Sequence, residues 1–407
     1  MKTLKLKEWS QQTVRLTQIE VSRLVSVPKI LSLTPVAPQD GIYKVSANSI
    51  VGTIVWPELR VLIRPKVDLQ NVFFLLGFRG GLAKWRTAAF PYATEWDFHE
   101  SIAWVFSAEM KSGLRYGINR AYEEKVETLR GLRGRLDIAR QMARSQDQPY
   151  PTECRFTEYS EDNALNRVLK AANTRLLKVG GLEQDLVRSL RNVASELATV
   201  CDENYAPMRI PDVVFTRLNA HWEAAFNLAR LILRGETLLD ETGAAVGTGF
   251  TVDMNSLFEK FLEEIVAREA WRVGLELEPQ RQVILTDNVK MYPDLTVTKD
   301  GRPLAVADAK YVVVEQGLPN ENLYQLLAYC VALGLPSGLL IYASGHALEV
   351  QKVRSSGTEL EIMGIDMSMP PDALVDQARA AALRLLAHAR TSAGANPAAG
   401  ALISGLP

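Results

Sequence analysis

Asp308 and Lys310 stand two residues apart in an apolar run, LAVADAKYVV, and Asp294 precedes them by fourteen residues in a Pro-Asp pair. Burying a charged group without a partner costs several kcal/mol or forces it to neutralise. Two carboxylates and an ammonium in such a setting therefore need either each other or a job. On a strand, residues two apart share a face, so Asp308 and Lys310 point the same way. Hydrolysis of a phosphodiester with a divalent metal asks for carboxylates that hold Mg²⁺ and a cation near the attacking water or the phosphate. Asp294 and Asp308 are candidate metal ligands, Lys310 the candidate cation, and the Ala309 carbonyl a candidate backbone ligand. The plainer alternatives are a buried Asp308 to Lys310 ion pair and a solvated strand edge.

The turn between the two acids sets a condition. If Asp300 and Gly301 form a two-residue type I′ hairpin, Lys299 opposes Arg302 and Asp294 opposes Ala307, which turns Asp294 away from Asp308. A three-residue turn, a bulge near Pro293, or an Asp294 lying beyond the regular ladder is required. Downstream, the helix pattern NENLYQLLAYCVAL places Gln325 and Tyr329 on one face, four residues apart. Upstream, Glu259 borders an apolar helical stripe, where it is either a further metal ligand or the polar edge of that helix. Pro293, Asp294, Asp308 and Lys310 resemble the PD-(D/E)xK nuclease motif, and with Gln325, Tyr329 and Glu259 they resemble its RecB-like branch, in which a QxxxY helix packs beside the site. Tyr311 and Asp287 show no discriminating pattern and are left outside the site.

The elements that must position these residues come last in the chain. Residues 1–94 read as a β-rich domain, with strand signals in SRLVSV, GIYKVSA, SIVGTIVW and ELRVLIRPKV. The following NVFFLLGF is apolar without a decisive period. Residues 95–245 read as a helical middle region: in SEDNALNRVLKAANTRLLKVG, Ser160 can cap a helix that Gly180 ends. A Gly- and Ala-rich stretch, ETGAAVGTGF, precedes residues 246–370, an α/β domain of order αβββαβ. Its first helix, MNSLFEKFLEEIVAREAW, aligns Leu257, Phe258, Phe261, Leu262, Ile265 and Val266. Residues 371–407 read as one amphipathic helix and a frayed, uncharged tail. The expected architecture is multidomain, with the nuclease-like α/β domain last.

Composition narrows the setting. A chain of 407 residues, 47% hydrophobic and 23% charged, fits a multidomain globular protein. It has no apolar run of membrane-spanning length and no signal-like start, which leads to a cytoplasmic expectation with no membrane partner. The three cysteines are far apart and expected reduced and buried, and the four histidines lack metal-site spacing. A net charge of −1 gives no overall footprint for nucleic acid. Lys111 to Arg144, however, holds nine Lys/Arg against four Asp/Glu, including Arg130, Arg133 and Arg135. That stretch is a solvated face or a surface for DNA or a partner protein.

Taken together, MNSLFEKF, YPDLTVTKDGRPLAVADAKY and LYQLLAY resemble the nuclease domain of the McrC family, and VGTIVWPELRVLIRPKV, TLRGLRGRLD and EYSEDNALNRVLKAANTRLL resemble its N-terminal and middle regions. The resemblance spans roughly residues 40–370. It implies an Mg²⁺-dependent endonuclease subunit of a restriction complex for methylated DNA, with Asp294, Asp308 and Lys310 catalytic. It implies as partner a hexameric AAA+ GTPase of the McrB type, which recognises the DNA and whose GTPase this chain stimulates. No GxxxxGK[ST] sequence occurs, and the glycine cluster GFRGGLAKW lacks the spacing, so the motor is expected on that partner. Asp308 stands where many superfamily members carry Glu, and the chain beyond residue 370 has no counterpart in the resemblance. The alternatives are a regulatory subunit with a non-catalytic nuclease fold and a RecB-like repair nuclease.

Overall fold

The computed structural model describes residues 1–78, 98–144, 150–179, 182–205, 209–234, 248–312, 320–345 and 347–394. Outside them lie the glycine cluster from Arg79 on, Gly180, most of ETGAAVGTGF, Val313 and Val314, and the tail from residue 395. Among the described residues no helix is long and apolar enough to cross a membrane.

The first described segment runs β1 (Lys2–Lys7), β2 (Gln11–Arg15), α1 (Gln18–Val25), β3 (Leu31–Ala37), β4 (Ile42–Ala47), β5 (Ile50–Val55), β6 (Leu59–Arg64) and α2 (Leu69–Phe78). SRLVSV, expected as strand, lies mostly in α1. A capping box decides it: Thr17 accepts from the Glu20 amide, and the Glu20 carboxylate accepts from the Thr17 amide. That local signal outweighs a short apolar run whose period is ambiguous. NVFFLLGF is helical, in α2.

The middle segment contains α3 (Phe98–Leu114), β7 (Ala121–Leu129), β8 (Arg135–Leu136), α4 (Ile138–Arg144), β9 (Thr152–Ser160), α5 (Ala164–Val179), α6 (Gln184–Glu196) and α7 (Glu223–Arg234). Helices pack on helices here through Leu165, Val168, Leu169, Leu190 and Phe226, all buried. The expected helical region also carries a three-stranded sheet, β7-β9-β8. Its long pair runs in register from Ala121 opposite Ser160 to Leu129 opposite Thr152. Asn163, not Ser160, caps α5 by accepting from the Asn166 amide at 3.2 Å.

The last segment contains β10 (Thr248–Asp253), α8 (Met254–Arg272), β11 (Glu276–Pro279), β12 (Val283–Thr286), β13 (Val289–Met291), β14 (Leu295–Lys299), β15 (Arg302–Lys310), α9 (Asn320–Leu333), β16 (Ser337–Tyr342), β17 (Glu349–Lys352), β18 (Glu359–Gly364) and α10 (Pro371–Gly394). The six apolar residues expected on one face of α8 are all buried. Strands order as β11-β14-β15-β16-β18-β17, with β12 and β13 a separate pair. The β15-β16 and β16-β18 pairs are parallel and the rest antiparallel. Every residue of β16 is buried, as a strand covered on both faces requires.

The chain divides into two compact units that interleave along the sequence. One comprises Met1–Leu4, Gly52–Val61 and Ala89–Thr251; the other Lys5–Val51, Leu62–Ala88 and Val252–Pro407. The six-stranded sheet, the β2-β4-β3 sheet and α10 all belong to the second. Helix α10 packs on α8 and β15, so Pro371–Gly394 form an integral layer of that unit.

Candidate active site

The hairpin of β14 and β15 decides whether the two acids meet. Its turn is the two-residue form: Lys299 pairs with Arg302, and Asp300 and Gly301 take φ of 51° and 75°. The register then shifts between Val297 and Thr298, because Leu304 bulges out of β15, and Leu295 pairs with Ala307. One inserted residue inverts the alternation beyond it. Continued by one step, the register sets Asp294 opposite Asp308, on one face. Asp294 also lies just before the first residue of β14. Of the three alternatives, Asp294 lying beyond the regular ladder is the one found as expected; a bulge is also present, but at Leu304 and not near Pro293.

Both carboxylates are buried, Asp294 at 7% and Asp308 at 1% exposure. Asp294 is held by two donors: its Oδ1 accepts from Gln280 Nε2 at 2.7 Å and its Oδ2 from the Ala309 amide at 2.8 Å. Asp308 Oδ2 lies 2.7 Å from Lys310 Nζ as an ion pair, although no hydrogen bond of good geometry reaches that oxygen. The plainer sequence reading, an Asp308 to Lys310 pair, is therefore physically present; it leaves Asp294 uncompensated by any net charge of its own. Burial, and then repulsion from Asp294, push Asp308 up to about 7. Burial opposes the Lys310 charge, but Asp308, Asp294 and Glu259 outweigh it and raise the ammonium above its usual value.

Glu259 comes from α8, whose N-terminus Asp253 caps by accepting from the Asn255 amide at 3.0 Å. Burial lifts Glu259 to about 7, with Asp294 and Asp253 adding repulsion. On α9, Gln325 Nε2 donates to the Tyr329 hydroxyl at 2.7 Å, and that hydroxyl donates to the Tyr292 carbonyl at 3.5 Å, two residues before Asp294. The QxxxY pair thus reaches the Pro-Asp segment through its backbone. Burial, followed by Asp308 and Asp294, raises the Tyr329 phenol above its ordinary value. Tyr329 packs with Val306, Leu340 and Tyr342, the face of the sheet that carries Asp308 and Lys310.

Among the described residues no three His, Cys, Asp or Glu side chains stand close enough to hold a metal ion by themselves. Mg²⁺, however, commonly binds through one or two carboxylates and keeps several waters. Two buried carboxylates, with one ammonium paired to Asp308, form a donor set of that kind. The residues present fit the ion.

Two contacts escaped the sequence reading. Gln280 carries no pattern that would link it to Asp294. Tyr311, left out of the site, donates to buried Glu8 at 2.9 Å, and burial raises that glutamate's pKa. Only a pairing across 303 residues reveals this second contact. Cys154 and Cys330 are buried as expected, whereas Cys201 is exposed, at the start of a loop after α6.

The arginine-rich stretch lies elsewhere, in the sheet of the first unit. Arg130, Arg133 and Arg135 are exposed. Arg133 donates to Glu158 at 3.1 Å and stacks over Phe156 at 4.0 Å. Apolar Leu132, Ile138 and Met142 are exposed among them.

Comparison with known proteins follows this geometry. Residues 45–343 match the family described as McrBC 5-methylcytosine restriction system component. The chain belongs to that family. A McrBC relative, the type IV methyl-directed restriction enzyme EcoKMcrBC of Escherichia coli K12, is 19% identical over 327 residues, 75% of this chain and 94% of the relative. In a refined half-complex of Thermococcus gammatolerans McrB AAA+ hexamers with bound McrC, one chain aligns with a TM-score of 0.63 at 19% identity, covering 94% of this chain and 100% of that one. At that identity the likeness concerns the fold. A chain of the Thermococcus gammatolerans McrBC complex aligns with a TM-score of 0.43, at 22% identity over 66% of this chain and 88% of that one.

Proposed function

We propose that this McrBC component is the Mg²⁺-dependent endonuclease subunit, built on a PD-(D/E)xK nuclease domain, and that it cleaves methylated DNA together with a McrB-type AAA+ GTPase. The observation that carries the reading is the meeting of two buried carboxylates, Asp308 on β15 and Asp294 bonded to the next residue's amide, with Lys310 beside Asp308. The missing phosphate-binding loop supports the assignment of GTP hydrolysis to the partner.

Asp294 and Asp308 would hold Mg²⁺, with the Ala309 carbonyl and water completing the shell and Glu259 acting through such a water. Bound there, the ion polarises the phosphate and lowers the pKa of water. Lys310, kept protonated by its acidic neighbours, serves as a charge and a hydrogen-bond donor to a phosphate oxygen or the attacking water, and does not serve as the base. Tyr329, oriented by Gln325, fixes the Pro-Asp backbone. The exposed arginines with Leu132, Ile138 and Met142 offer a mixed basic and apolar surface. That mixture suits a protein partner better than bare phosphates, and we assign it to stimulation of the GTPase.

A regulatory subunit with a non-catalytic fold is the second reading, favoured by the closed Asp308 to Lys310 pair. The test is cleavage of circular methylated DNA by the chain with its partner ATPase, Mg²⁺ and GTP, comparing wild type with Asp308→Ala while GTP turnover is recorded. Cutting by wild type alone, with equal GTP turnover, supports the endonuclease. Equal stimulation without cutting by either leaves the regulatory reading. Cutting that needs a free DNA end returns the repair-nuclease alternative.

A further inference from the structure

We infer that Gln280 is a positioning residue for the Asp294 carboxylate, orienting it for a divalent cation; the inference rests on the endonuclease reading. Asp294 lies beyond the start of β14, where the β14-β15 ladder no longer fixes it. On its other side the β11-β14 register, extended by one residue, pairs it with Gln280, whose amide N–H donates to the Asp294 carbonyl at 3.3 Å. The same residue's side chain donates to Asp294 Oδ1 at 2.7 Å, and the Ala309 amide takes Oδ2. Each carboxylate oxygen has two lone pairs, so one on each is left for a cation or its water.

Two features set Gln280 apart from an ordinary strand end. Its φ is +50°, in the left-handed region that few side chains other than glycine, asparagine and aspartate occupy. Such strain persists only where the surroundings hold it, and it collects at functional sites. The residue as a whole is also exposed at the edge of the sheet, yet its amide turns in to a part-buried bond with the buried Asp294 carboxylate. An amide suits the task for a chemical reason. It fixes the carboxylate's direction without charge, whereas a lysine or arginine there would neutralise Asp294 and compete with the cation.

Two substitutions separate orientation from folding. Gln280→Gly tolerates the positive φ, keeps the backbone N–H and removes only the amide. Gln280→Lys places an ammonium in its stead. Mn²⁺ binding to the full chain is measured by calorimetry, and cleavage by the chain with its partner ATPase is followed against Mg²⁺ concentration. Gln280→Gly is expected to raise the Mn²⁺ Kd and the half-saturating Mg²⁺ about tenfold, with cleavage recovered at saturation. Gln280→Lys is expected to abolish Mn²⁺ binding, and both variants to keep the wild-type melting temperature. Wild-type Mn²⁺ binding by Gln280→Gly, or cleavage lost at every Mg²⁺ concentration with unchanged Kd, overturns the role. Asp294→Asn is the reference: if it loses Mn²⁺ while Gln280→Gly does not, only this inference fails. If wild type and Asp294→Asn bind alike, the endonuclease reading fails with it.

Discussion

Two clusters of buried charge occupy opposite faces of one sheet, and they are balanced differently. On the face toward α10, Glu361 accepts from Arg384 at 2.6 and 2.7 Å and lies 3.0 Å from His388 Nε2. Burial works against that carboxylate, yet Arg384 and His388 hold its pKa below the ordinary value. On the face toward α9, two carboxylates stand against one ammonium, which pairs with Asp308, and Asp308 is pushed up to about 7. The same sheet therefore carries a closed cluster that fastens a helix and an open one that retains excess negative charge. Net charge, more than burial, separates a structural ion pair from a site prepared for a cation.

Exchanging the two behaviours is the sharpest way to break this contrast. Asp294→Asn should cut DNA cleavage by more than about a hundredfold while leaving the melting temperature unchanged or higher, since it removes a repelling carboxylate. Plasmid nicking and a thermal melt on one preparation check both. Arg384→Ala should do the reverse: about 3 kcal/mol less stability in urea, from a buried Glu361 left with His388 alone, and near-normal cleavage by the folded fraction. If Arg384→Ala abolished cutting without destabilising the chain, the α10 face would not be merely structural.

Acidity gives a weaker but signed test. Asp308 and Glu259 both sit near 7 in the folded chain, above their ordinary values. Between about pH 4 and 7 the folded state then binds more protons than the unfolded one, so these groups' stabilisation is full at the acid end and is lost as pH rises to about 7. Glu361, with its folded value lowered, acts oppositely: its stabilisation is present above its unfolded pKa and is lost as pH falls through the folded one. Urea midpoints measured in EDTA should therefore decline from about pH 5 to 7, and Asp308→Asn should flatten that decline. Smallest of all, Tyr329→Phe gives up the long hydrogen bond to the Tyr292 carbonyl and the one accepted from Gln325. About 1 kcal/mol and a severalfold loss of cleavage are expected, with Gln325→Leu no worse.

What could be read from sequence was whatever depends on period and local spacing. Asp308 and Lys310 share a strand face, Gln325 and Tyr329 a helix face, and the α8 stripe is buried, because these are properties of one element at a time. The turn at Asp300-Gly301 was legible for the same reason. A bulge was one of three alternatives the turn left open and was expected near Pro293, since nothing local marks Leu304 as the residue that leaves the ladder. Gln280 and Glu8 were invisible, because each meets its partner through pairing that no short-range pattern encodes. The middle sheet was missed where strong helical stripes on either side set the expectation, and SRLVSV was misread because its cap, Thr17 with Glu20, lies upstream of the apolar run.

The placement of α10 has a consequence for how this protein comes into being. Helix α10 covers β15 beside α8, and it is translated after every strand that it covers. A ribosome that stops short of residue 371 thus releases a chain with Asp294, Asp308 and Lys310 already made but with β15 backed by α8 alone of these two helices. The layer that backs β15 is thus the last part of this unit to be made, so the backing of the strand that carries Asp308 and Lys310 depends on the chain reaching α10.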